Sequence, residues 1–163
     1  MAEELTAPGL VLIMRGLSGS GKSRWAEHYK EKSVHPVTII SADSYFGAGK
    51  EWVFEPAKLN LAHALCFKSA VIWATEPPEQ AGSPRVLIVD NTNAAAWEIA
   101  PYIQLANAYG FAHSIVYLPC DPIHAFSRSV HKTPFKVVWQ KHVIMQTESL
   151  AKPGWNLELR KGD

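Results

Sequence analysis

Short apolar runs alternate with segments of helical periodicity along the whole chain. "LVLIMRG" (10–16), "VTIIS" (37–41), "VLIVD" (86–90) and "HSIVYLP" (113–119) are brief, nearly continuous apolar runs bounded by Gly, Pro or polar residues. Such runs read as strands buried on both faces. Between them, residues 22–32, 56–76 and 95–109 carry apolar positions at helical spacing. Pro56 suits a first helical turn, and Gly110 is a suitable stop. Residues 122–131 and 135–150 read as two further helices with Pro134 between them. "WNLEL" (155–159) fits either a fifth strand or a tail, and "EPPEQAGSP" (76–84) a surface connection. Strands alternating with helices predict an α/β fold, with a parallel sheet of four to five strands and helices on both faces. Ligands of such sheets bind beyond the carboxyl ends of the strands, so the residues that follow each run are where chemistry is expected.

After the first run stands "GLSGSGKS" (16–23). Gly16, Gly21, Lys22 and Ser23 fit the spacing G-x-x-x-x-G-K-[ST] of a phosphate loop. Backbone N–H groups must close on a phosphate chain from several sides, and glycine leaves room for that approach. Gly16, Ser18, Gly19, Ser20, Gly21, Lys22 and Ser23 are therefore the expected nucleotide cradle. Lys22 would reach the β- and γ-phosphates, and the Ser23 hydroxyl would meet Mg²⁺. A helix beginning near Gly21 adds its positive end. A serine-glycine linker is the alternative, but the strand before and the helix after argue against it.

Two acids follow two other strands, Asp43 in "ADSYF" and Asp90 in "DNTN". A carboxylate across from a γ-phosphate suits a general base, the role read for Asp43. Asp90 ends an hhhhD pattern and suits an acid holding Mg²⁺ through water. The two roles remain exchangeable at this level, and either acid also reads as a helix cap. Asn91, Thr92 and Asn93 suit groups that orient the acceptor or metal waters, or else a turn. From Pro122 to Thr147 the chain has no acid, but it holds Arg128, Lys132, Lys136 and Lys141 with three histidines. This segment reads as a helical lid, about 122–134, that brings Arg128 and Lys132 over the phosphates. A solvated basic face is the bland alternative.

The aromatic residues and histidines add less. Trp73, Trp97 and Trp139 sit where packing is the default, whereas Trp52 and Phe54 suit either base stacking or a loop anchor. His63 reads as a packing residue rather than a catalyst, and His131 lacks a second metal ligand at suitable spacing.

Composition bounds the rest. The chain has 163 residues, 47% hydrophobic and 19% charged, with a net charge of +1. These values suit one globular domain, residues 1–163, and no strongly basic nucleic-acid binder. Cys66 and Cys120 match no metal or redox spacing, the N-terminus is unlike a signal peptide, and no apolar run approaches the ~18 residues of a membrane helix. A cytoplasmic or otherwise intracellular setting with no membrane partner is the expectation; oligomeric state is open.

"GLSGSGKS", "SADSYF", "LAHALC", "VDNTNAAAWEIAPYIQLANAYGF" and "RSVHKTP", in this order, resemble the small phosphate-loop kinases of the polynucleotide 5′-hydroxyl kinase type. The likeness is nearest to the branch found within a eukaryotic ubiquitin-ligase-binding protein and more distant to the phage enzymes. It covers about residues 10–145. The resemblance implies a phosphate-loop NTPase fold, use of ATP and Mg²⁺, and transfer of the γ-phosphate to a nucleic-acid 5′ end. It implies Asp43 as general base, Asp90 as an active-site acid and Arg128 as a contact to ATP phosphates. Three positions depart from the family. Ser44 replaces a second acid, Phe46 stands where the phage enzymes have arginine, and Ser129 follows Arg128 where the family has asparagine. A small-metabolite kinase on the same scaffold, acting on a sugar acid or nucleoside, is the alternative enzyme. A nucleotide-binding module of low turnover is the alternative of another class.

Overall fold

The computed structural model describes residues 5–47, 53–79, 82–130 and 133–160. Five strands, β1 (Gly9–Arg15), β2 (Val37–Ile40), β3 (Arg85–Val89), β4 (Ala112–Tyr117) and β5 (Leu157–Leu159), form one sheet in the order β2-β3-β1-β4-β5. All pairings are parallel, with Ile13 facing Val89 on one side and Ile115 on the other. The helices are α1 (Lys22–Lys32), α2 (Leu59–Thr75), α3 (Ala96–Ala108), α4 (Pro122–Arg128) and α5 (Phe135–Thr147).

β1, β3 and β4 are largely buried on both faces because alternate side chains enter two different cores, whereas β2, expected to be buried likewise, is an edge strand whose residues stay partly exposed. Val11, Ile13, Leu87, Val89 and Ile115 pack with Cys66, Ala70 and Trp73 of α2 and Ile99, Tyr102 and Ile103 of α3. Leu12, Met14, Val86, Ile88 and Val116 pack on the other face, with Ala26, Trp25 and Tyr29 of α1. Leu17, Ala94, Ala125, Val138 and Met145 form a third cluster, which seats α4 and α5 beneath the loop that follows β1.

Each expected element is present, with shifted ends. Residues 56–58 are a 3₁₀ turn ahead of α2, and α5 stops at Thr147 rather than at 150. The α4 helix does not run to residue 131. It ends at Arg128, and Ser129 turns extended while its Oγ bonds Ser18 Oγ at 2.7 Å. Lys132, expected over the phosphates with Arg128, lies outside the described residues. The open alternative at the C-terminal end resolves as a strand. Asn156 N–H donates to His113 Nε2 at 3.3 Å, Ile115 N–H to Asn156 O at 2.8 Å and Arg160 N–H to Tyr117 O at 2.8 Å, which binds β5 to β4.

Trp73 packs as expected, on Phe111 and under Arg85. Trp97 and Trp139 stay out of the core, 75% and 50% exposed, although Trp139 meets Phe135 and His142 of its own helix. Helical spacing placed them beside the buried positions Ala96 and Val138, but the neighbouring residue takes the core-facing direction.

In this strand order the chain reverses its winding at β1, which lies between β3 and β4. That switch point opens a crevice at the carboxyl ends of the strands. The segments following β1, β2, β3 and β4 converge there.

Candidate active site

The loop after β1 is shaped by its glycines. Gly19 (φ +87°) and Gly21 (φ +97°) hold backbone conformations that other residues rarely adopt. A Cβ at Gly19 would meet the Ala125 carbonyl oxygen of α4 at 2.0 Å. At Gly16 it would meet Ser20 Oγ at 2.6 Å and the Leu118 carbonyl oxygen at 3.0 Å. The loop thus lies flat between β4 and α4, and Gly16 N–H donates to Thr92 O at 3.1 Å. The Ser20 hydroxyl is buried without a hydrogen-bond partner. Lys22 turns back over the loop, and its Nζ donates to Leu17 O at 3.0 Å. Burial pushes the Lys22 ammonium below its ordinary range, opposed by the charges of Asp90 and Asp43.

Around this loop is a cavity of about 440 Å³. Ser18, Gly19, Gly21, Lys22, Ser23, Asp43, Asp90 and Arg128 all line it. Every expected phosphate-side residue among the described ones is thus gathered in one place, except Gly16 and Ser20, which brace the loop from behind. Ser23 Oγ donates to Asp90 Oδ2 at 2.7 Å. The hydroxyl and carboxylate are hard oxygen donors of the kind Mg²⁺ takes, and Mg²⁺ sites usually use only one or two protein groups beside phosphates and water. The residues present therefore fit that ion. Arg128 reaches the cavity from the last turn of α4, its Nη2 donating to Cys120 Sγ at 3.4 Å.

A second cavity, of about 140 Å³, adjoins the first. Ser18, Asp43, Asn91 and Thr92 line both. Its remaining walls include His63 and Leu59 of α2, Glu98 of α3, and Val137, Val138 and Lys141 of α5, with Phe54 and Thr133. Asp43 thus stands on the partition, whereas Asp90 lines only the phosphate side. The position of Asp43 is set locally. Ser41 Oγ accepts from Asp43 N–H at 3.1 Å, opening a short 3₁₀ turn, and Asn91 Oδ1 accepts from Ala42 N–H at 2.8 Å.

The Asn-Thr-Asn run after Asp90 is mostly architectural. Asn91 ties the Asp43 turn to β3, and Asn93, buried at φ +46°, donates to Met14 O at 2.8 Å. Only Thr92 and part of Asn91 face the cavities. Arg15, a residue the sequence reading passed over, completes this brace. It is 2% exposed, stacks 4.7 Å from the Tyr117 ring centroid, and donates to Asn93 O at 3.2 Å and Ala94 O at 2.6 Å. A single charge at the end of an otherwise apolar strand was the signal for it. His63, expected to be a packing residue, lines the second cavity from α2, with its imidazole pushed toward the neutral form by burial. Glu98 was singled out by no argument, although it belongs to the most specific part of the family resemblance. Lys141 pairs with it at 3.8 Å, while Lys136 is exposed on α5. Trp52 and His131 lie outside the described residues, and Phe54 packs edge-on against Phe46.

Among the described residues, no helix is long and apolar enough to cross a membrane, and no cluster of His, Cys, Asp or Glu is built to hold a metal unaided.

Comparison with known proteins agrees with this architecture. A family model described as an AAA domain matches residues 11–134. Human NEDD4-binding protein 2 is 35% identical over 106 residues, which are 63% of this chain and 6% of that protein, so the chain corresponds to a small part of it. A gluconokinase from Sinorhizobium meliloti 1021 superposes with a TM-score of 0.57 at 15% identity, covering 95% of this chain and 83% of its own. An APS kinase from Mycobacterium tuberculosis gives 0.51 at 15% identity, covering 86% and 99%. The fold is that of the phosphate-loop kinases, and the resemblance read from the motifs holds.

Proposed function

The chain belongs to the AAA domain family matched over residues 11–134, and from that premise we propose that it moves the γ-phosphate of ATP to a hydroxyl acceptor, with the 5′-hydroxyl of a polynucleotide as first choice. The observation that carries this reading is the partition. Asp43 lines both the phosphate cavity and a second cavity large enough for an acceptor group. A pocket that shares this carboxylate with the phosphate cavity offers an acceptor hydroxyl a place within reach of both.

In this reading the loop amides and Lys22 hold the β- and γ-phosphates, and Arg128 meets the charge that develops on the moving group. Ser23 and Asp90 would hold Mg²⁺, which would neutralise phosphate charge when bound. The acceptor oxygen bonds to the γ-phosphorus as the bond to the β–γ bridging oxygen breaks. The acceptor proton passes to the Asp43 carboxylate, and ADP departs. Asp90, engaged with Ser23 and absent from the second cavity, suits the metal side better than the base. The nucleic-acid choice is supported by the family motifs and by the acid-free stretch carrying Arg128, Lys136 and Lys141. The small size of the second cavity favours, as second reading, a kinase of a small hydroxyl metabolite.

Labelled ATP is to be offered with 5′-hydroxyl DNA and RNA oligonucleotides, single-stranded and duplex, and with a panel of small sugars, sugar acids and nucleosides. Label on an oligonucleotide 5′ end is the expected result. Label only on a small compound moves the assignment to the second reading, and no acceptor-dependent turnover at all leaves a nucleotide-binding module.

A further inference from the structure

The second cavity carries more information than its place beside Asp43. Glu98 is a carboxylate whose side chain is only 13% exposed, yet its pairing among the described residues is with Lys141 at 3.8 Å, beyond hydrogen-bond length. A nearly buried carboxylate is costly unless donors satisfy it. Here both members of the pair line a cavity.

The surroundings restrict what those contents are. At about 140 Å³ the cavity is of the size of one sugar ring. Its polar groups are Asp43, Glu98, Lys141, His63, Thr133, Ser18, Asn91 and Thr92, set against Leu17, Leu59, Val137, Val138 and Phe54. Among the described lining residues Lys141 is the one cation, and Glu98 already faces it. With Asp43 also present, there is no surplus positive charge for a carboxylate-bearing acceptor. A neutral ring with hydroxyls on its edge and C–H groups on its faces matches this mixture of walls.

We infer that the cavity receives the terminal sugar of the acceptor and that Glu98, steadied by Lys141, accepts a hydrogen bond from its 2′-hydroxyl, so that the enzyme prefers a ribose end to a deoxyribose end. This rests on the polynucleotide reading above. In a polynucleotide the 5′-oxygen is the one phosphorylated and the 3′-oxygen is esterified. The 2′-hydroxyl is then the remaining donor on the ring, and it is the group by which a site distinguishes RNA from DNA.

The experiment uses single-stranded 5′-hydroxyl oligonucleotides of one sequence that differ only in the first sugar: ribose, 2′-deoxyribose or 2′-O-methylribose. kcat/KM is measured for each with the wild-type chain and with Glu98→Ala and Glu98→Gln. A hydrogen bond to a charged group predicts a ribose advantage of about 10- to 100-fold over both analogues. Glu98→Ala erases that advantage, and Glu98→Gln, which keeps an acceptor oxygen, restores part of it. If Glu98 only staples α3 to α5, the variants lower thermal stability and leave the ribose-to-deoxyribose ratio untouched, which overturns the inference. Equal labelling of all three oligonucleotides by the wild-type chain overturns it without any variant. Failure to label any oligonucleotide, while a small compound is labelled, defeats the polynucleotide reading itself.

Discussion

Replacing Gly19 by alanine tests whether contact between the phosphate loop and α4 shapes the site. Two costs add at this position. The first is conformational: at φ +87° an L-residue pays about 1–2 kcal/mol. The second is steric. The new Cβ would lie 2.0 Å from Ala125 O, 2.9 Å from Ala125 C and 3.0 Å from Ser129 N, all backbone atoms that no rotamer change can move. Relief requires displacing α4 or the loop by more than an ångström, and overpacking of this kind costs about 1–3 kcal/mol. Gly110→Ala is the internal control, because Gly110 has a comparable φ of +71° but nothing within 4 Å of the added Cβ. The control should lose only the conformational cost, about 1–2 kcal/mol. Gly19→Ala should lose about 2–5 kcal/mol, the two costs together. For a chain of this size each kcal/mol lowers Tm by roughly 2–4 °C. Thermal unfolding by circular dichroism reads both variants, and titration calorimetry reads their ATP affinity. Only Gly19→Ala should weaken ATP binding, since the loop and Arg128 move apart. Equal losses of Tm in the two variants, with ATP affinity intact in both, would refute the reasoning.

The remaining predictions concern the acids and the histidines. Asp43→Asn keeps the shape of the partition and removes the base, so turnover should fall about 10²- to 10⁴-fold with ATP affinity little changed. Asp90→Asn should instead raise the Mg²⁺ concentration needed for half-maximal rate; the opposite pattern in stopped-flow and Mg²⁺ titrations would mean that the two roles are exchanged. Burial pushes both His63 and His113 below the ordinary imidazole value, and protonated His113 could not accept the Asn156 N–H. The unfolded chain takes up these protons first, near pH 6.5. Stability should therefore be full above about pH 6.5 and decline as the pH falls below it toward the lowered folded values. A Tm that stays flat from neutral into mildly acidic buffer would count against this.

What the sequence determined by itself is whatever depends on residues close together in the chain. The apolar runs specified β1 to β4, and for β1, β3 and β4 the reason is that a strand buried on both faces must be apolar at nearly every position. The glycine spacing in "GLSGSGKS" specified the phosphate loop, since positive φ and close approach are local demands. Strand-end position then placed Asp43 and Asp90 on one rim, as a parallel sheet requires. Tertiary structure decided everything that depends on which segments meet. Gly19 needs to be glycine partly because Ala125, far along the chain, presses against it. Asp43 and Asp90 look alike after their strands, and only the tertiary structure tells them apart, through the second cavity that Asp43 but not Asp90 lines and the Ser23 hydroxyl bonded to Asp90. His63 and Glu98 carried no local signal to mark them, and the lone charge of Arg15 marked a position but not a role, because a buried polar group takes its meaning from partners on other elements. Trp97 and Trp139 show the same limit in reverse. Periodicity tells which residues share a helix face, but the docking of the helix chooses the face that is covered. The end of α4 at Arg128 was settled in the same way, by a hydroxyl of the phosphate loop that met Ser129 across the fold.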